Sequence, residues 1–195
     1  MRVSGLVHLV ARLADVVLSR RLAPQEQAEV AAYLRSPIER DMFWGQPKAD
    51  QRHGLEAARS VATGCPGRDD LIRAALLHDT GKRHARLGPL RRSWTVLRCS
   101  IGLAPTPRMA YYLEHGRLGA DELAAASAEP LVVAYTRHHH GERPDGINAE
   151  DWALLAAADR AFPAGPSLLT RRSQRPRPAR LPPYDGVSEP MRDGP

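Results

Sequence analysis

The stretch Ala74-Ala75-Leu76-Leu77-His78-Asp79-Thr80-Gly81-Lys82 decides how this sequence is interpreted. Four apolar residues, all good or acceptable helix formers, run directly into a histidine and an aspartate. A buried ionisable side chain needs a partner, and a metal ion is an efficient partner for imidazole and carboxylate groups. The stretch therefore predicts a helix that ends at the pair His78-Asp79, with both side chains directed into a pocket.

Further residues with metal-ligand chemistry lie on both sides of this pair. His53 precedes it, and Asp159 follows it within an otherwise apolar run. Between them lie His115 and the triplet His138-His139-His140, so that seven of the eight histidines fall between positions 53 and 140. Borderline divalent metals accept imidazole and carboxylate ligands. The pattern favours a metal site, and the alternative is a helical protein with scattered core histidines.

The composition predicts an all-α fold. Of the 195 residues, 43% are hydrophobic and only 5% aromatic, so the core must consist largely of Leu, Ala and Val. The stretches rich in alanine and leucine favour helix, and no stretch alternates apolar and polar residues with period two. We expect an N-terminal helical segment at 1–45, a helical domain at 46–163, and a disordered Pro/Arg-rich tail at 164–195.

Several helices are predicted individually. Residues 1–20 have apolar residues at helical spacing, which indicates a helix that packs on the domain or lies on a membrane surface. A basic, irregular connection is expected over 83–107. One continuous helix over 108–126 should carry His115, another over 129–139 should end in the histidine triplet, and the last, over 150–162, should carry Asp159.

The charge distribution bears on partners and location. The net charge is +6, and residues 166–195 contribute +3 of it through six arginines and three acidic residues. The body is therefore only mildly basic, which favours phosphorylated ligands over a dedicated nucleic-acid groove. The sequence contains no run of 18 apolar residues, so it predicts no membrane span. Cys65 and Cys99 show no metal-ligand spacing; we expect two buried or incidental thiols in a cytoplasmic protein, and the alternative is a bridge between them.

The ordered set His53, His78-Asp79 and Asp159 resembles the HD-domain superfamily of metal-dependent phosphohydrolases. The phrase AALLHDTGK is similar to the AALLHDIGK of that family, and the resemblance covers about residues 50 to 162. It implies a helical bundle in which these four residues form a first metal site. A site with these imidazole and carboxylate ligands suits Mn, Fe, Co, Ni or Zn.

A second metal ion is also implied by the resemblance. The stretch around His115 resembles the HxxxG helix of HD-GYP and related members, and the triplet resembles their HHE segment, best matched by His139 and His140. Asp79 would then bridge both ions. The carboxylate of three-metal members has no counterpart at Ala49, and Asp50 lies one residue away from that position, so one or two ions are expected. The Gly-Tyr-Pro signature of HD-GYP members is absent.

The resemblance implies hydrolysis of a nucleotide or another small phosphate ester or anhydride. Asp79 and Lys82 would be catalytic residues, with Lys82 close to the substrate phosphate; the alternative for Lys82 is a solvated residue at a helix end. Two other functions remain open at this point. One is a di-iron oxygenase of the HD type, and the other is a non-catalytic sensor of a phosphorylated ligand.

Overall fold

The computed structural model describes residues 20–161, apart from the side chains at positions 89, 90, 93 and 96. Within this range the chain forms nine α-helices, one short 3-10 helix and no strand. The predicted all-α class is therefore confirmed, while the predicted helix over 1–20 and the tail at 164–195 fall outside the described residues, except for Arg20. The helices are α1 Pro24–Tyr33, α2 Pro37–Trp44, α3 Lys48–Gly64, α4 Asp69–Leu77, the 3-10 helix Thr80–His84, α5 Pro89–Ser100, α6 Pro107–Leu113, α7 His115–Ala125, α8 Pro130–His138 and α9 Ala149–Ala161.

Helix α4 lies at the centre of the fold. Its residues from Leu71 to Leu77 are all buried, and α3, α8 and α9 pack around it. A helix that is apolar on every side is stable when other helices surround it. Arg73 is the one charged residue in this stretch, and it forms ion pairs with Glu39 of α2 and with Glu129 before α8. These partners offset the cost of burying its charge.

Two glycines allow helices to approach closely beside the His-Asp pair. A Cβ atom at Gly54 of α3 would lie 2.9 Å from the carbonyl oxygen of Leu76 in α4. A Cβ atom at Gly81 would lie 2.0 Å from the carbonyl oxygen of His115, where the 3-10 helix crosses α7. Because both neighbours are backbone atoms, larger residues at these positions would push the helices apart.

The prediction of an irregular connection over 83–107 is wrong. The segment contains the end of the 3-10 helix and the twelve-residue helix α5. Pro89 occupies the first turn of α5, where the missing backbone N–H of proline costs no hydrogen bond. Arginine is a good helix former, so the basic residues of this stretch are compatible with a helix.

The prediction of one continuous helix over 108–126 is also wrong, because the chain breaks at Glu114 into α6 and α7. Glu114 has φ −92° and ψ 7°, outside the helical range. At the break, the ring of His115 donates a hydrogen bond to the carbonyl oxygen of Tyr112, at 2.6 Å. The break therefore places His115 at the start of a new helix.

None of the described helices is both long and apolar enough to cross a membrane.

Candidate metal centre

The pair His78-Asp79 lies where the central helix ends. Helix α4 stops at Leu77, and the backbone N–H of His78 donates to the carbonyl oxygen of Ala74 at 3.1 Å. The hydroxyl of Thr80 donates to the carbonyl oxygen of Leu77 at 2.7 Å, which satisfies one acceptor at the helix end. His78 and Asp79 are 1% and 3% exposed, so the sequence-predicted helix end and the burial of the pair are confirmed.

His53, His78, Asp79 and Asp159 form what we call the first ligand group. Potential ligand atoms of His53, His78 and Asp79 all lie within 4.8 Å of one another. Asp159 Oδ1 lies 2.9 Å from His53 Nε2 and 3.3 Å from His78 Nε2. The packing of α9 against α3 and α4 brings Asp159 to this position, although it is 106 positions from His53 in the sequence.

Asp79, His115, His139 and His140 form the second ligand group, and their potential ligand atoms also lie within 4.8 Å of one another. His115 Nε2 lies 3.3 Å from His139 Nε2 and 3.2 Å from His140 Nε2. Asp79 Oδ1 is 3.4 Å from Nε2 of both His115 and His139. Its other oxygen, Oδ2, is 3.4 Å from Nε2 of His78. The two oxygens of Asp79 thus face different groups.

Three of the histidines are oriented in the same way. The Nδ1 atoms of His78, His115 and His139 each lie within hydrogen-bond distance of a carbonyl oxygen three residues earlier, at 2.9, 2.6 and 2.8 Å. A carbonyl oxygen accepts but cannot donate, so Nδ1 carries the hydrogen in these contacts. The Nε2 atom then faces the cluster, which is the orientation found in metal-binding histidines.

Two buried atoms indicate that a cation fits between these side chains. His78 Nε2 and Asp79 Oδ1 are buried and have no hydrogen-bond partner. Such atoms are rare in folded proteins unless an ion or water satisfies them. Ligand atoms about 2.1 Å from a common ion are roughly 3.0–3.4 Å apart in octahedral or tetrahedral geometry. The 3.2–3.4 Å separations within the second ligand group match that spacing, so the residues fit a divalent metal ion.

The electrostatics of the two groups differ. Burial disfavours charge on His78, but the carboxylates of Asp79 and Asp159 outweigh it and raise the pKa of His78 to about 10. In the second group, burial and the neighbouring rings of His139 and His115 lower the pKa of His140 to about 3. Burial lowers the pKa of His139 as well. His139 and His140 are therefore neutral near pH 7, in the form that binds metals.

Lys82 is held inside the site. Its ammonium group forms an ion pair with Asp79 Oδ2, and its side chain is 14% exposed. Burial opposes ionisation of the Asp79 carboxyl, but Lys82 and His78 nevertheless hold the pKa of Asp79 well below its usual range. This position contradicts the alternative of a solvated lysine at a helix end and leaves the predicted phosphate contact untested.

A buried ion pair beside the site was not predicted from the sequence. Asp50 of α3 is 2% exposed and binds the guanidinium of Arg92 from α5 through two hydrogen bonds, at 2.7 and 2.6 Å. The guanidinium carbon of Arg92 lies 5.7 Å from the ring centre of Tyr112, whose ring in turn stacks on His115. The 42-residue separation of Asp50 and Arg92 gives no local signal for this contact.

The structure brings together all seven residues proposed as metal ligands from the sequence and resemblance, namely His53, His78, Asp79, His115, His139, His140 and Asp159. Among the described histidines of the triplet, His138 belongs to neither ligand group. Tyr135 is an additional neighbour that the sequence interpretation missed. It is 1% exposed, and its ring centre lies 6.0 Å from those of both His78 and His139.

Comparison with models of known protein families, with curated proteins and with solved structures finds no match for this chain. The metal-binding interpretation therefore depends on the chemistry and geometry of the two ligand groups.

Proposed function

We propose that this chain is a metal-dependent phosphohydrolase of the HD type, acting on a nucleotide or another small phosphate ester or anhydride. The observation that carries the proposal is the placement of Asp79, whose two oxygens face two separate sets of histidines. Sites with two metal ions recur in phosphatases and nucleases. The sequence around His78-Asp79 supports the same reaction class.

Each ligand group would hold one divalent ion, with Asp79 shared between them. The mixture of imidazole and carboxylate ligands suits Mn, Fe, Co, Ni or Zn. When bound, such an ion lowers the pKa of a coordinated water from 15.7 toward about 7 and offsets negative charge on phosphoryl oxygens. The hydrogen bonds from Nδ1 of His78, His115 and His139 keep their Nε2 atoms directed at the site before any ligand arrives.

Lys82 would bind a non-bridging oxygen of the transferred phosphoryl group. An ammonium group has three hydrogens to donate, so it can retain Asp79 and bind a substrate oxygen at the same time. The partial exposure of its side chain leaves it accessible from one side. A fixed cation of this kind stabilises charge that develops in the transition state.

The remainder of a substrate would occupy a separate cleft whose lining includes Arg83, the residue that follows Lys82; Lys82 itself and the seven ligand residues do not line it. This cleft has a volume of about 920 Å³, and the residues that line it include Arg83, Arg86, Arg92 and Tyr111. That volume is within the range of small-molecule sites. Glu122 and Asp50 offset the charges of Arg83 and Arg92, and Asp41 also lines the cleft, so its net charge is small; this disfavours a polyanion and leaves Arg86 available to a small anion.

The test compares Asp79→Asn with a matched control, His138→Gln, in a histidine adjacent to the second ligand group. Metal content is measured by elemental analysis after loading with Mn or Fe, and phosphate release is measured with an aryl phosphodiester and a panel of nucleotides. Asp79→Asn should lose both ions and reduce turnover by about 100-fold or more. His138→Gln should match the wild type in both measurements.

Two results would contradict the proposal. Wild-type metal content in Asp79→Asn would show that the carboxylate is not a shared ligand. Oxygen consumption by the iron-loaded protein, without phosphate release from any member of the panel, would assign the site to an oxygenase.

A further inference from the structure

One segment of the chain is basic and has no acidic residue. Residues 80–113 include seven of the 28 lysine and arginine residues and none of the 22 acidic residues, so the rest of the chain carries 21 basic against 22 acidic residues. Lys82, Arg83 and Arg92 from this segment form ion pairs with Asp79, Glu122 and Asp50, respectively. Arg86, Arg91, Arg98 and Arg108 form no ion pair with any described residue.

The same segment also carries most of the large apolar side chains that are exposed. Of the seven such residues among the described part of the chain, all but Ile38 lie between positions 94 and 113. Trp94, Leu97 and Ile101 are 49%, 52% and 61% exposed. Their spacing of three and four residues places them on one face of α5 and its C-terminal end. Exposed apolar groups concentrated in this way are typical of interaction surfaces.

Helix α5 thus has two faces with different roles. On the inner side, Arg92 binds Asp50 and Thr95 is fully buried, which anchors the helix to the domain. On the outer side, Arg91 is exposed one turn before Trp94, and the neighbouring helix α6 exposes Arg108 and Tyr111. We call the outer set Arg91, Trp94, Leu97, Ile101 and Arg108 the basic apolar face.

We propose that the basic apolar face binds the surface of an anionic lipid membrane. Arginines next to a stripe of Trp, Leu and Ile have the composition of helices that lie in the membrane interface, where cations meet lipid phosphates and the apolar side chains enter the acyl boundary. Trp is also enriched at that depth. The twelve residues of α5 span about 18 Å, enough to lie along the bilayer plane.

Two other occupants fit less well. A symmetric dimer through this face would place its arginines opposite the same arginines of the second copy, without an acidic residue from this segment to pair with them. A nucleic acid would neutralise the arginines but would leave the aliphatic side chains of Leu97 and Ile101 without an apolar environment. An anionic bilayer satisfies both the charge and the apolar area.

The experiment measures co-sedimentation of the full chain with phosphatidylcholine vesicles that contain either no or about 30% phosphatidylglycerol. Binding should require the anionic lipid and weaken as salt increases. The double variant Arg91→Gln/Arg108→Gln should bind about 30-fold more weakly, roughly fivefold for each arginine. Leu97→Ser should bind about tenfold more weakly. Trp94→Phe should retain binding and lose most of the blue shift of tryptophan fluorescence that vesicles induce.

Matched controls use exposed residues of the same types outside the face. Ile38 is 47% exposed, and Arg40 is exposed as well, so Ile38→Ser and Arg40→Gln should bind like the wild type. Equal binding of the face variants and these controls would overturn the proposal, since other arginines of the chain would then be responsible. Absence of vesicle binding would overturn it too, as would a dimer that Leu97→Ser converts to monomer. None of these outcomes depends on phosphohydrolase activity.

Discussion

Replacing Gly81 with alanine tests the contact that brings the two ligand groups together. The 3-10 helix that follows Asp79 crosses α7 at this residue, and α7 begins with His115. A Cβ atom at Gly81 would lie 2.0 Å from the carbonyl oxygen of His115 and 2.8 Å from the backbone nitrogen of Gly119. The new methyl group therefore meets two backbone atoms, which cannot rotate away as a side chain would.

The expected cost follows from these distances. Ordinary C···O contacts are about 3.3 Å or longer, so the two helices must separate by roughly 1.3 Å. Overpacking against well-packed neighbours costs about 1–3 kcal/mol, and a contact with backbone atoms belongs at the upper end. For a chain of this size, about 3 kcal/mol corresponds to a decrease of roughly 6–12 °C in melting temperature. The shift would also move His115 away from Asp79, which now lies 3.4 Å from it.

The assay combines thermal unfolding of the metal-free protein with a titration of bound metal. Gly81→Ala should unfold at a lower temperature and lose affinity for the second ion more than for the first, because His115 belongs to the second group. Gly146→Ala is the matched control, since a Cβ atom there meets nothing within 4 Å and the melting temperature should stay unchanged. A Gly81→Ala protein with wild-type melting temperature and two equally bound ions would refute this reasoning.

Two further predictions concern charged groups. Lys82→Met should destabilise the metal-free protein by about 3 kcal/mol, because Asp79 loses a buried partner. Loading with Mn should reduce this loss of stability, while turnover should still fall about 100-fold. An equal loss of stability with and without Mn would show that Lys82 does not offset the charge of Asp79 in the metal-free site. For Glu26, a hydrogen bond from Arg52 lowers the pKa to about 2, so its contribution is fully present above about pH 4.5 and is lost as the pH falls toward 2. Glu26→Gln should therefore cost about 1 kcal/mol in urea unfolding at pH 7, and the difference from wild type should narrow between pH 4.5 and 3; a constant difference would contradict the assigned pKa.

The central part of the fold could be predicted because its sequence signals are local. The apolar run before His78 predicts a buried helix, and the polar pair after it predicts the helix end; the structure has both. Helix α5 shows where such signals were misjudged. Pro89 lies in the first turn of α5, and proline at that position is a helix-start signal that the predicted irregular connection does not take into account. The six exposed apolar side chains between 94 and 113 could not be predicted, because exposure depends on how neighbouring helices pack.

Contacts between distant parts of the chain were the other limit. Resemblance supplied the names of the ligand residues, whereas their hydrogen bonds depend on the backbone around each one. The Asp50–Arg92 pair illustrates this: the sequence showed an aspartate close to, but not at, the position of a third metal ligand, and the structure places an arginine on it. A guanidinium that occupies both oxygens of Asp50 gives that carboxylate a partner other than a metal ion.

The histidine triplet shows how far helical periodicity can select among adjacent residues of one type. The buried residues of α8 include Val132, Tyr135 and Thr136, which define the face of the helix that meets the core. Residues three or four positions after a buried residue continue the same helix face. His139 satisfies both spacings, because it follows Thr136 by three and Tyr135 by four. His140 satisfies one, because it follows Thr136 by four. His138 follows Tyr135 by three and therefore also satisfies one spacing, yet it is the member of the triplet outside both ligand groups. Helical periodicity thus supports His139 alone, and the choice of His140 over His138 depends on the chain leaving the helix after His138, which periodicity does not describe.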